Sequence, residues 1–263
     1  MLISKKLGIN VIYRSSIKGD TMPTEAELRI DLAAAFRLIH GMDMHESVAN
    51  HLSAAVSEDG KQFLMNRRWM HFANVTASNL QRLDSEDSSI MDTDEAPDAS
   101  AWSIHGNVHK AFPDARVILH VHSTYATVLS TLKDPRILPL DNNTARFYGR
   151  IAYDTDFGGI ATSDEEGKRI MGSFDGKKAL MMGNHGISVV GATVAEAFES
   201  LYYLEKACKT MVLAYSTGQA LNVMPHELAL ETAASWDDFK GAGDAHFEQL
   251  KAMLDKKDPS YRD

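Results

Sequence analysis

The sequence predicts a mixed α/β domain, and three observations carry that prediction. Short aliphatic and β-branched runs, residues 117–121 and 187–190 among them, have the length and composition of buried strands. Between them lie longer segments whose apolar residues recur at helical spacing, three of them opened by a Ser/Thr and Glu pair three apart: Thr24 with Glu27, Ser163 with Glu166, and Thr193 with Glu196. The chain has 263 residues, 44% of them hydrophobic and only seven of them proline, which is enough to build one large core.

Charge and cysteine usage narrow the function classes. Lys and Arg total 27 against 36 Asp and Glu, a formal charge of -9, and no basic run stands out. That field disfavours nucleic acid and anionic membranes as partners and leaves small molecules. A single cysteine, Cys208, excludes an internal disulfide and any zinc site built from several thiolates. With no apolar run of membrane-spanning length and no secretory leader pattern, the expected compartment is the cytoplasm.

In chain order, residues 1–20 lack any period and form a lead-in, 21–218 form the domain, and 219–263 form a C-terminal arm. Leu28, Leu32, Ala35, Phe36 and Ile39 stripe a first helix that stops near Gly41, and a short helix is expected at 43–48. Leu52, Ala54 and Val56 alternate, Asp59 and Gly60 mark a turn, and Phe63 to Met65 resume as a strand, which makes a hairpin. Residues 75–80 read as a turn into a short piece. The acidic stretch 84–98 reads as solvated loop, with room for a hairpin at Ile90 and Met91. Ser100 to Phe112 is helical and closed by Pro113. A helix at 125–132, a loop-rich 133–160, a helix ending at Phe174, and a long helix striped by Val194, Phe198, Leu201, Leu204, Cys208, Met211 and Tyr215 and ended by Gly218 complete the domain. Trp236, Phe247 and Leu250 suggest that a terminal helix in the arm docks on the domain or on a neighbouring subunit.

The chemistry is concentrated in histidines. His120 and His122 leave one face of the strand at 117–121, because side chains on a strand repeat every two residues. Buried imidazoles need partners, either backbone groups or one divalent ion that satisfies both. His185, at the tip of an Asn-His-Gly turn between two apolar strands, supplies a third imidazole, and three ligands with an open fourth position describe a catalytic metal. His105 and His109 share a helical face at ligand spacing, but Gly106 stands where a zinc-protease helix carries glutamate, so His105 is read, ahead of metal ligation by the pair, as a group that supports the metal ligands or faces substrate. Arg67 and Arg68 are candidates to hold a substrate carboxylate. Tyr148 and Arg150 offer a phenol and a cation, or ordinary surface packing.

With these elements placed, the chain resembles the class II aldolase/adducin family over roughly residues 24–215. The resemblance is carried by Asn50-His51-Leu52-Ser53, by Pro113-Asp114-Ala115 leading into Ile118-Leu119-His120-Val121-His122-Ser123, and by Asn184-His185-Gly186-Ile187-Ser188-Val189-Val190-Gly191. It implies a single α/β/α domain with a mixed, mainly antiparallel central sheet flanked by helices. It also implies a cyclic homotetramer with sites between subunits, and one divalent ion per chain, zinc or manganese, on His120, His122 and His185. His105 and Tyr148 are then the candidate catalytic residues, and Arg67, Arg68 and Ser123 the candidate substrate-binding ones.

The family's phosphate loops are replaced here by Asn50-His51-Leu52-Ser53, Arg67-Arg68-Trp69 and Ala99-Ser100-Ala101, so a non-phosphorylated substrate is expected. The family's acid/base carboxylate, four residues before the first helix histidine, is Ala101. The resemblance then implies a metal-dependent lyase that cleaves a carbon–carbon bond of a small hydroxy-carbonyl or hydroxy-acid compound through a metal-stabilised enediolate. A decarboxylase on the same site, an epimerase, and a non-catalytic adducin-like module are the alternatives.

Overall fold

The structure is a computed structural model and describes residues 23–112, 114–156 and 164–263. The expected lead-in, the Ser163 half of the second capping pair, and Pro113 lie outside the described residues. Helix α1 (Glu25–Gly41) opens on the full capping box: the Thr24 hydroxyl accepts the Glu27 N–H, and the Glu27 carboxylate accepts the Thr24 N–H. Strands β1 (His51–Ala55) and β2 (Gln62–Met65) form the expected hairpin. Gly60 in its turn has φ +71°, and a Cβ there would lie 2.2 Å from the His109 carbonyl oxygen, so only glycine lets the turn meet the following helix.

Strand β3 (Gln81–Asp84) comes next, then α2 (Ala99–Ala111), β4 (Val117–Val121), α3 (Thr124–Ser130) and α4 (Asn142–Ala145). Strand β5 (Ile151–Asp154), α5 (Asp164–Ser173), β6 (Ala179–Met182), β7 (Gly186–Gly191) and α6 (Val194–Ser216) close the domain. Helices α7 (His226–Ser235) and α8 (Ala242–Lys257) make up the C-terminal arm.

The seven described strands form one sheet in the order β3-β2-β1-β4-β7-β6-β5, antiparallel at every pair except β5 with β6. Its two faces are read off β4. Val117, Leu119 and Val121 join the core shared with α1 and α6, through Phe36, Ile39, Phe198 and Leu201. Ile118 points the other way, into a core with Ile104 and Val108 of α2 and with Ile170 and Phe174. Helices therefore cover both faces, and the chain is a three-layer α/β/α domain with a mixed, mainly antiparallel sheet. The arm docks on this domain: Phe247 and Tyr261 are fully buried in the first core, with the Phe247 ring 5.4 Å from that of Phe198. Among the described residues no helix is long and apolar enough to cross a membrane.

Four local expectations are corrected. Residues 43–48 do not form a helix but a turn in which Asp43 and Ser47 take φ of 56° and 48°. Ile90 and Met91 sit in a 3-10 turn (Ser89–Asp92) rather than a hairpin. Asp98 is not solvated loop: its carboxylate caps α2 by accepting the N–H groups of Ser100 and Ala101. At α6 the Thr193 hydroxyl accepts the Glu196 N–H, but the Glu196 carboxylate takes the Ala192 N–H and Lys178 instead of closing a reciprocal box.

Candidate metal centre

Apart from Asp154 on the edge strand β5, the buried polar residues of the sheet lie in one place. On β1, Leu52 and Ala54 enter the α1/α6 core, so His51 and Ser53 face α2. Register then pairs His51 with His120 across β1 and β4, and His120 with Ser188 across β4 and β7. A polar row, His51-His120-Ser188, thus crosses three strands of an otherwise apolar sheet. His122 follows β4 on the same face, and His185 stands in the β6–β7 turn, where Asn184 takes φ 54°. A Cβ on Gly186 would lie 2.6 Å from the Val121 carbonyl oxygen and 2.9 Å from the His122 ring, so glycine is what lets β7 close against that ring.

The three rings meet edge to face, with centroids 4.9, 4.9 and 4.7 Å apart, and one ligand atom from each falls within 4.8 Å of the others. Hydrogen bonds fix what two of the rings present to the centre. His120 Nδ1–H donates to the Ile187 carbonyl at 3.0 Å and to the Ser188 hydroxyl at 3.1 Å. His122 Nδ1–H donates to the Glu46 carboxylate at 2.6 Å. With Nδ1 so engaged, each ring turns its Nε2 to the centre, and the two Nε2 atoms are 3.1 Å apart. Burial holds His120 well below the usual histidine range, which keeps its Nε2 lone pair available. The spacing suits a shared cation: tetrahedral zinc with its nitrogens about 2.0–2.1 Å away spaces them by roughly 3.3 Å. His185 is likewise pushed down, to about 4, first by burial and then by His122. The trio fits a divalent ion, with the Glu46 and Ile187 contacts orienting its rings as outer-shell partners do.

A second set of histidines lies directly beneath. His109 Nδ1–H donates to the Ala115 carbonyl at 2.8 Å, so its Nε2 accepts from the Ser53 hydroxyl, also at 2.8 Å. With its proton committed, Ser53 Oγ accepts from His105 Nδ1–H at 2.5 Å, and His105 Nε2 accepts from His51 Nδ1–H at 2.8 Å. One carbonyl therefore sets the tautomer of three rings and leaves the lone pair of His51 on Nε2, with the His51 ring 4.8 Å from that of His120. Burial keeps all three rings neutral: His51 and His109 are pushed down to about 4, and His105 well below its usual range. The negative charge of Asp98 works against that shift at His51.

The remaining expected site residues lie in different surroundings. His105 is fully buried with both ring nitrogens engaged, so it meets substrate only through His51. Tyr148 shares a hydrogen bond of 2.9 Å with His226 Nδ1 on the arm, and Arg150 pairs with Asp237. Arg67 pairs with Glu95 at 2.7 Å, and Arg68 donates to the Thr93 carbonyl. The Ser123 hydroxyl donates to Glu205, whose carboxylate also accepts the Tyr125 and Ala126 N–H groups at the start of α3. Ala101 is fully buried in an apolar cluster with Phe63, Met65 and Leu83. Sequence reasoning did not single out Glu46, and it treated His51 as a replaced phosphate-loop residue. The signal for His51 was in phase: His51 and Ser53 are polar at alternate positions of a strand whose other positions are apolar.

The chain belongs to the class II aldolase and adducin family, since the model of the Class II Aldolase and Adducin N-terminal domain matches residues 30–212. A Caulobacter vibrioides protein carrying an aldolase class 2 name is 33% identical, over 94% of this chain and 96% of its own. The solved structure of an aldolase II superfamily protein from Pseudomonas syringae superposes with a TM-score of 0.84 at 31% identity, over 92% of this chain and 98% of that one. An L-fuculose 1-phosphate aldolase from Glaciozyma antarctica gives 0.77 at 26% identity, over 94% and 97%. Among further relatives, a Streptomyces niveus protein named decarboxylase NovR is 26% identical over 72% of this chain and 67% of its own. Rat alpha-adducin is 30% identical over 88% of this chain and 33% of its own.

Proposed function

We propose that this protein is a divalent-metal-dependent lyase that cleaves a carbon–carbon bond in a small, non-phosphorylated hydroxy-carbonyl compound or hydroxy acid. The observation that carries the proposal is the convergence of three imidazoles, with the Nε2 atoms of His120 and His122 3.1 Å apart beside His185 and one ligand atom from each within 4.8 Å of the others. A bound zinc or manganese ion would polarise a substrate oxygen, and neutral imidazole donors suit zinc better than manganese. The base that the family's carboxylate would supply is absent at Ala101, and His51 Nε2 takes its place. His51 accepts the substrate hydroxyl proton as the carbon–carbon bond breaks, while its Nδ1–H stays on His105 and spreads the new charge into the buried row. His105 and Ser53 are then positioning residues. Arg67 serves a substrate carboxylate only by exchanging its Glu95 partner, and Tyr148 only by leaving His226. A homotetramer in the cytoplasm belongs to this reading and is tested by light scattering and fractionation.

One observation favours decarboxylation as the second reading. Loss of CO₂ needs no base in its first step, which suits the sealed apolar site at Ala101, and one relative is named a decarboxylase. Zinc-loaded protein challenged with small hydroxy acids and keto acids separates the two by product: an aldehyde or ketone for aldol cleavage, CO₂ for decarboxylation. Turnover that depends on zinc and disappears in His120→Ala supports a lyase. Absence of both turnover and zinc uptake would overturn it in favour of a binding module.

A further inference from the structure

We infer that the chain carries a second transition-metal site, built by His40, His45 and His71. The three come from separate elements: His40 from the last turn of α1, His45 from the turn that follows, and His71 from the cap of a 3-10 turn (Phe72–Asn74) after β2. Their rings meet edge to face with centroids 5.0, 5.0 and 4.9 Å apart, nearly the geometry of the first trio. One ligand atom from each lies within 4.8 Å of the others, and the Nε2 atoms of His45 and His71 are 3.2 Å apart, near the roughly 3.3 Å edge of a tetrahedral zinc site. His40 is the exposed member, and its ligand atom already lies within the same 4.8 Å.

Two further features prepare the cluster for a cation. His45 Nδ1 is buried with no hydrogen-bond partner among the described residues, so its ring is not held by a protein acceptor on either side. Burial and the neighbouring rings keep His40 and His45 below the usual histidine range, which leaves their lone pairs available at neutral pH, while the Asp43 charge acts on both rings in the sense that favours a cation. In the metal-free cluster the Ala73 N–H donates to His71 Nδ1, so His71 Nε2–H donates to His45. An ion held by His71 Nε2 would require the His71 proton to move to Nδ1 and the Ala73 hydrogen bond to break. Three imidazoles with one open position select a late divalent ion, zinc, nickel or copper, over magnesium or calcium.

The test is the zinc stoichiometry of chelator-stripped protein, read by elemental mass spectrometry after dialysis against a zinc buffer, with thermal unfolding of each stripped variant as the fold control. The expected result is two ions per chain for the natural sequence, one for His71→Ala, one for His185→Ala, and none for the double variant. The exposed His40→Ala gives at least a tenfold loss of affinity at one of two sites if His71→Ala fails to fold. A single ion that is lost in His185→Ala and kept in His71→Ala and His40→Ala overturns the inference, as does a stoichiometry of two that neither variant lowers. A single ion lost in His71→Ala but kept in His185→Ala upholds this site and instead removes the lyase reading of the first one.

Discussion

The His120, His122 and His185 trio and the His51, His105 and His109 row use the same side chain a few ångströms apart to opposite ends. In the trio, Nδ1 of His120 and of His122 is spent on an acceptor, the Ile187 carbonyl or the Glu46 carboxylate, and the two Nε2 atoms are turned on one point. In the row the bonds all run in one direction, from the His51 Nδ1–H through His105, Ser53 and His109 to the Ala115 carbonyl, and of the three rings only His51 keeps an unused lone pair. What a buried histidine does is thus decided by the group its other nitrogen meets. The trio gathers its ring nitrogens on one point, whereas the row passes its bonds along one line.

The comparison breaks outright if the two sets do not separate on mutation. His185→Ala and His120→Ala should abolish zinc retention and turnover together, with the stripped protein still folded, as metal analysis beside circular dichroism would establish. His51→Ala should keep zinc while turnover falls about 10²–10⁴-fold, the usual range for a lost general base; loss of the ion in this variant would make His51 a ligand and erase the distinction. The row should show in the pH dependence of stability. His109 is neutral and pushed down to about 4 when folded, against 6.5 in the unfolded chain. The unfolded state therefore takes up the proton first as pH falls, so stability declines between about pH 6.5 and about 4, on the order of 3 kcal/mol for this group. Urea unfolding of the stripped protein at a series of pH values reads this, and a flat profile there would mean the row is not held neutral. The smallest effect sharpens the trio: Glu46→Gln keeps an acceptor oxygen but not the charge, and zinc affinity should fall about tenfold, the low end of outer-shell substitutions.

Much of this was legible in the residues. Alternation on a strand put His120 and His122 on one face, the Asn-His-Gly turn offered His185, and Thr24 with Glu27 marked the start of α1. Strands β3 and β5 escaped because Gln81–Asp84 has only Leu83 as an apolar residue and Ile151–Asp154 is only four residues long, and both draw their definition from the neighbours they pair with. Glu46 and Glu205 were not readable at all, since each acts on residues some 80 positions away, His122 and Ser123, that only the tertiary fold brings within reach. The tautomers of the row lay out of reach for the same reason. They depend on a backbone carbonyl, and sequence patterns carry no information about where one peptide oxygen will point.

That oxygen has a long reach. The Ala115 carbonyl lies just before β4, at the opposite end of that strand from His120, and it is the only fixed acceptor in the row. Turning that single peptide plane over would offer His109 an N–H in place of an oxygen and reverse each bond in succession. The proton of His51 would then move to Nε2 and the ring would meet its substrate as an acid. The handedness of the site's proton chemistry is written in one peptide group that never approaches the substrate.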